Sequence, residues 1–144
     1  MTDQPKRIQL SREKGWRLPA DAVKVDRATV FGNPYRIGES IDVKQARRWG
    51  WEISPEGRKI ICEDAAAAVR RFAHCLFWDS AIHEFVRKEL KGKDLACWCA
   101  IGDPCHADTL LVLANSEPAE IRAMQGLMDD RIFAAVQKTL EGDQ

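Results

Sequence analysis

The chain carries no net charge, one tyrosine, three histidines and no long apolar run. Each shortage removes a class of protein. Its 22 basic side chains are matched by 22 acidic ones, so there is no overall field with which to coat nucleic acid. No apolar stretch approaches the ~20 residues that span a bilayer. The opening MTDQPKRIQL lacks the hydrophobic core of a secretion signal, and the expectation is a cytoplasmic protein without a membrane partner. A paired cysteine framework is also missing. The five cysteines are odd in number, and Cys97 and Cys99 sit one residue apart, which suits reduced thiols better than disulfides.

What is present describes a globular domain. In 144 residues, 45% hydrophobic and 31% charged, there is enough apolar material for a core without covalent staples. Charge is unevenly spread: residues 1–61 hold 13 Lys/Arg against 8 Asp/Glu, and the rest hold 9 against 14. A basic face on the N-terminal half would suit a nucleic-acid-binding accessory protein, although such an excess is more often solvated surface.

Periodicity gives an α/β reading. RIQLSR alternates Ile8 and Leu10 with polar residues, and VKVDR does the same with Val23 and Val25, as half-buried strands do. FGNPY follows, where Gly32, Asn33 and Pro34 impose a rigid turn. Asp42 heads a short helix to about Gly50, and ISPEGRKII reads as a turn with a small strand. Asp64 caps a long helix whose Ala68, Val69, Phe72 and Leu76 share a face, and Asp79 or Ser80 starts a second that stops at Gly92. Residues 94–100 are apolar on both alternating faces, which predicts the central strand. The expected fold is a small three-layer domain over residues 1–115: a sheet of about four strands flanked by helices. Ser116 would cap a C-terminal helical extension over 116–144, with Ile132, Phe133 and Val136 docking on the body or on a second subunit, so that a homodimer is one expected form.

CWCAIGDPCHAD, residues 97–108, concentrates the chemistry. Cys97, Cys99, Cys105 and His106 number the four ligands of a closed zinc site, but one-residue spacing in the first pair and adjacent Cys105 and His106 fit such sites poorly. No cofactor is therefore expected, with zinc as the alternative. Asp103 and Pro104 instead resemble an N-cap and a first helical residue. Cys105 and His106 would then stand in the first helical turn, where the helix dipole favours a thiolate or a bound anion. With Ala107, Leu111 and Ala114 inward, Cys105 and Asp108 face the rim beyond the strand ends, where ligands of open α/β sheets bind. The plainer alternative is that Cys97 and Cys99 are packing groups. Cys62, Cys75, His74 and His83 read as packing or surface residues; Trp16, Trp49, Trp51, Trp78 and Trp98 could stack on bases, although such residues are more often core or patch filler.

RIQLSREKGWRLP, VKVDRATVFGNPY and LKGKDLACWCAIGDPCHADTLL resemble the domain of unknown function 4326 of bacteria and their phages. The likeness spans about residues 7–115, with the GNP turn and the C-W-C…C-H block as its most specific parts. Phe31 and Tyr35 keep the aromatic character expected there. The resemblance implies no established activity. A weaker one, to the Cys-His-Arg block of the domain of unknown function 488, implies only a small α/β fold, because Ala107 replaces the arginine.

The functional expectation is a site for a small ligand, such as a nucleotide or nucleic-acid component, between two rigid segments. Arg27, Gly32, Asn33 and Pro34 form one, with Arg27 clamping an anion and Asn33 reading a polar edge. Cys99, Cys105, His106 and Asp108 form the other, with Cys105 as nucleophile, His106 as acid/base and Asp108 as an orienting group if there is a reaction. A zinc-stabilised binding module without catalysis and a nucleic-acid-binding accessory protein are the rivals.

Overall fold

The computed structural model describes residues 4–127. Its middle strand is β3 (Asp94–Cys97), whose Leu95, Ala96 and Cys97 are all buried, as a strand covered on both faces requires. β1 (Arg7–Gln9) and β2 (Ala22–Lys24) flank it in parallel, in the order β1-β3-β2, with Ile8 opposite Ala96 and Val23 opposite Leu95. The α/β class is as expected, but the sheet of the described residues has three strands rather than four.

The fourth candidate, within residues 53–61, forms a 3-10 turn at Gly57–Lys59 and then only isolated bridges, Ser40 to Ile61 and Ile37 to Cys62. Pro55, Glu56 and Gly57 use most of that segment in turning, with Ser54 Oγ accepting the Gly57 N–H at 3.1 Å, so too little chain remains for a ladder. The central strand is also shorter than 94–100. It ends at Cys97, and a turn follows in which Asp103 N–H donates to Ala100 O at 3.0 Å and Gly102 takes φ +98.

Local signals fix the helices before the site. Asp42 caps α1 (Val43–Arg48), Asp64 caps α2 (Ala65–Phe77) and Asp79 caps α3 (Ser80–Leu90), each carboxylate accepting N–H groups of the first turn. α4 (His106–Asn115) packs on β3 and β1, and α2 and α3 pack on α4. Phe72, Leu76, Leu90, Leu95, Leu110 and Leu113 lie fully buried where these elements meet. At roughly 1.5–3 kcal/mol for each such side chain, this cluster outweighs any single polar contact in the domain.

Ser116 does not cap the following helix. Its hydroxyl donates back to Val112 O at 2.6 Å and closes α4, while α5 (Pro118–Leu127) starts with Glu120 accepting the Glu117 N–H at 2.9 Å. Pro118 at the first helical position moves the start one residue on. Ile121 is buried in the common core, so α5 packs on the body. The docking role expected of Ile132, Phe133 and Val136 lies outside the described residues.

The turn at Gly32-Asn33-Pro34 is held from several sides. Gly32 O accepts from Trp49 Nε1 at 3.0 Å and Gln45 Nε2 at 3.1 Å, and Pro34 is fully buried. A Cβ on Gly32 would stand 2.7 Å from Arg27 Cα, so glycine is required by close backbone approach, not by its φ. The contact also ties the turn to the residues just beyond β2.

Candidate functional site

The carboxyl ends of β2 and β3 open onto one cavity of about 360 Å³. Asp26, Arg27 and Asn33 wall it from the β2 side, Cys97, Trp98 and Cys99 from the β3 side, and Cys105 and His106 from the start of α4. Ala65, Ala68 and Val69 of α2, with Ile37, supply an apolar side. The GNP turn and the Cys-His pair thus share a pocket, in the place where parallel sheets bind ligands.

The start of α4 differs from expectation. Asp103 is not the cap and Pro104 not the first helical residue; both precede the helix. Cys105 itself is the N-cap, extended at φ −147 and ψ 139, and its Sγ accepts the Ala107 N–H at 3.5 Å. The 100–103 turn already engages Asp103, whose carbonyl takes Arg7 Nη2 at 3.1 Å while Ala100 O takes the same nitrogen at 3.0 Å. Those contacts hold the loop one step short of a helix. Cys105 and His106 are consequently buried, 2% and 5% exposed, rather than set on an open rim.

Around Cys105 the donors converge. His106 Nδ1 lies 3.8 Å from its Sγ, while His106 Nε2 faces Val25 O at 2.5 Å. A carbonyl can only accept, so Nε2 carries a proton and Nδ1 is the atom left to exchange one with the thiol. A hydrogen bond from Cys97 pulls the Cys105 thiol far below its ordinary value, against the opposing effect of burial, and His106 and the Ala107 N–H act in the same direction. The same bond, with burial, pushes Cys97 up, and burial followed by a hydrogen bond with Cys105 raises Cys99. Of the three thiols, Cys105 is the one that gives up its proton most readily.

Sγ of Cys97, Cys99 and Cys105 all lie within 4.8 Å of one another, and Cys97 and Cys99 are 3.9 Å apart. This set could hold a metal ion. His106, the fourth ligand in the sequence reading, reaches Cys105 but stands outside the triangle.

The remaining expected residues divide. Arg27 is exposed on the cavity wall and donates from Nη2 to Tyr35 O at 3.1 Å. Asn33 lines the cavity, but its amide is spent on the fold: Oδ1 accepts from Tyr35 N at 2.9 Å and Nδ2 donates to Ala68 O at 3.1 Å. Gly32 and Pro34 shape the turn and do not line the cavity. Asp108 is exposed and off the wall, 3.5 Å from Arg7 Nε; burial pushes its carboxyl up despite that partner.

Arg7 and Asp26 have no part in the sequence reading, which places Trp98 only among tryptophans that fill the core or stack on bases. Arg7 lies in β1 with its side chain 7% exposed; burial works against its charge, yet a hydrogen bond to Cys105 and the charges of Asp108, Cys105 and Cys99 raise its pKa. Asp26 is 6% exposed and accepts Trp98 Nε1 on Oδ2 at 2.9 Å. Trp98 is 39% exposed and has Arg12 stacked 4.3 Å from its ring centroid. The pattern V-D-R directly after a strand was the available sign for Asp26; nothing local marks Arg7.

No curated protein and no solved structure matches the chain. The model of the domain of unknown function DUF4326 matches residues 8–116, which is most of the sequence and includes every residue of the cavity wall. The chain belongs to the DUF4326 family.

Proposed function

We propose that the protein binds and processes a small organic ligand in the cavity between the GNP turn and the start of α4, with Cys105 as nucleophile and His106 as its proton partner. One observation carries this reading: Cys105, cradled by the Ala107 N–H at 3.5 Å and His106 Nδ1 at 3.8 Å, lies on the wall of a cavity large enough for a ligand. Attack would form a bond from Sγ to an electrophilic atom of the ligand, and the proton on Nδ1 would go to the departing group. Arg27 would hold an anionic part of the ligand. Asn33 and Asp108 have supporting roles, in the turn and beside Arg7.

Selective alkylation tests it. Native protein treated with limiting iodoacetamide should be modified first at Cys105 among its five cysteines, as read by peptide mapping, and Cys105→Ser should remove that label. Labelling of Cys105 only after unfolding in urea would overturn the proposal.

The sulfur triangle supports a second reading, in which Cys97, Cys99 and Cys105 hold a zinc ion and the fourth position is open to the cavity. Three sulfurs within 4.8 Å of one another, with Cys97 and Cys99 3.9 Å apart, could close on a tetrahedral ion with Zn–S bonds of about 2.3 Å. Elemental analysis of protein purified without added metal should then give one zinc per chain, and a chelator should be needed before any of the three thiols reacts. Less than stoichiometric zinc in carefully handled protein removes this reading.

A further inference from the structure

We propose that the ligand of this cavity is a nucleoside monophosphate, whose base lies against Trp98 and donates an N–H to Asp26 while its phosphate meets Arg27. The inference rests on the cavity being a ligand site, as argued above, and adds the class of ligand.

Asp26 supplies the independent observation. It stands two residues past β2, is 6% exposed and lines the cavity. Oδ2 accepts the Trp98 N–H, but Oδ1 is buried without a partner among the described residues. A buried acceptor left unpaired is costly, and an N–H donor brought by a ligand would remove that cost.

The neighbours narrow the chemistry. Trp98 is a flat wall fixed in place by Asp26 at its N–H and by Arg12 over the ring, as a stacking platform for a base needs. Arg27 is exposed beside it, steadied by one bond to Tyr35 O. Ala65 brings the positive end of the 13-residue α2 to the same wall, although the Asp64 carboxylate already takes the Ala67 N–H there. At about 360 Å³ the cavity is near the lower end of small-molecule sites, room for one nucleotide rather than two. An aromatic wall, a free acceptor and an exposed guanidinium together fit a base carrying a phosphate.

Calorimetric titration of the full chain with GMP, AMP, CMP and UMP, and with their nucleosides and ribose 5-phosphate, tests this. At least one monophosphate should bind with Kd below about 1 mM, and ribose 5-phosphate should bind roughly tenfold more weakly. In Asp26→Asn the side-chain oxygen must serve Trp98, which leaves an NH₂ where the ligand needs an acceptor; affinity should fall about tenfold or more with Tm unchanged. Arg27→Ala should weaken the monophosphate and not the nucleoside. Native Cys105 that alkylates selectively in a chain binding none of these compounds would overturn the nucleotide inference and leave the site reading standing. Failure of both would sink both. Wild-type affinity in Asp26→Asn and Arg27→Ala overturns the inference as well.

Discussion

His106 donates its Nε2 proton to the carbonyl oxygen of Val25 at 2.5 Å. This bond spans the distance from α4 to the end of β2, fixes the tautomer, and turns Nδ1 toward Cys105. A histidine anchored through one nitrogen by a backbone carbonyl is oriented for proton exchange through the other.

A pair of substitutions separates anchoring from chemistry. His106→Gln can still donate an amide N–H to Val25 O but has nothing at Nδ1. It should keep Tm close to wild type while slowing alkylation of Cys105 several-fold. His106→Ala leaves Val25 O unpaired and opens a gap beside Phe72, whose ring is 5.6 Å away. It should lose about 1–3 kcal/mol of stability. Equal alkylation rates in wild type and His106→Gln would show that Nδ1 does nothing for the thiol.

Gly32→Ala places a methyl group 2.7 Å from the Arg27 backbone and 3.1 Å from Gln45 Nε2. The first neighbour is main chain and cannot swing aside. Urea unfolding should show a loss of about 1–3 kcal/mol with the m-value unchanged. A loss under about 0.5 kcal/mol would mean that the turn yields easily and does not hold Asp26 and Arg27 in place.

Asp42 gives a pH test away from the cavity. Burial raises its pKa, but the Gln45 N–H at 3.2 Å and the Arg36 guanidinium at 2.8 Å outweigh this and hold the carboxyl below its ordinary value. A folded pKa below the unfolded one means stability that is present above the unfolded pKa, near 4, and is lost as pH falls through the folded value. Asp42→Ala should therefore cost about 1 kcal/mol at pH 7, and the gap from wild type should close below about pH 4. A gap that stays constant to pH 2.5 would assign the cost to packing.

How much could be read from the sequence follows from how far apart the causes lie. Asp42, Asp64 and Asp79 cap helices because each acts on backbone two or three residues away, so local pattern finds them. The middle position of β3 follows from apolar residues on both faces. Cys105, by contrast, replaces Asp103 as a cap because the loop before it is held by Arg7, 96 residues from Asp103. The missing fourth strand shows the same limit, since ISPEGRKII has strand-like residues at its ends but spends its middle on a turn. For the site, residue type exposed Cys105 and His106, while Asn33 looked free and is fully bonded, and the bonds of Asp26 to Trp98 and of His106 to Val25 span 72 and 81 residues.

Arg7 is the residue whose role depends most on the fold and least on its own surroundings in sequence. Its guanidinium joins Ala100 O, Asp103 O, Asp108 and Cys105, and Nη1 has no partner among the described residues. It both shapes the loop before α4 and sets a positive charge against the thiolate. Arg7→Lys keeps the charge and loses the fork, so the loop should loosen and Tm fall while Cys105 stays reactive. Arg7→Met keeps the bulk and loses the charge, so alkylation of Cys105 should slow by about tenfold relative to Arg7→Lys, equivalent to about 1.4 kcal/mol between the two. Equal alkylation rates in Arg7→Lys and Arg7→Met would assign Arg7 to loop geometry alone and leave the Cys105 thiolate to Cys97 and His106.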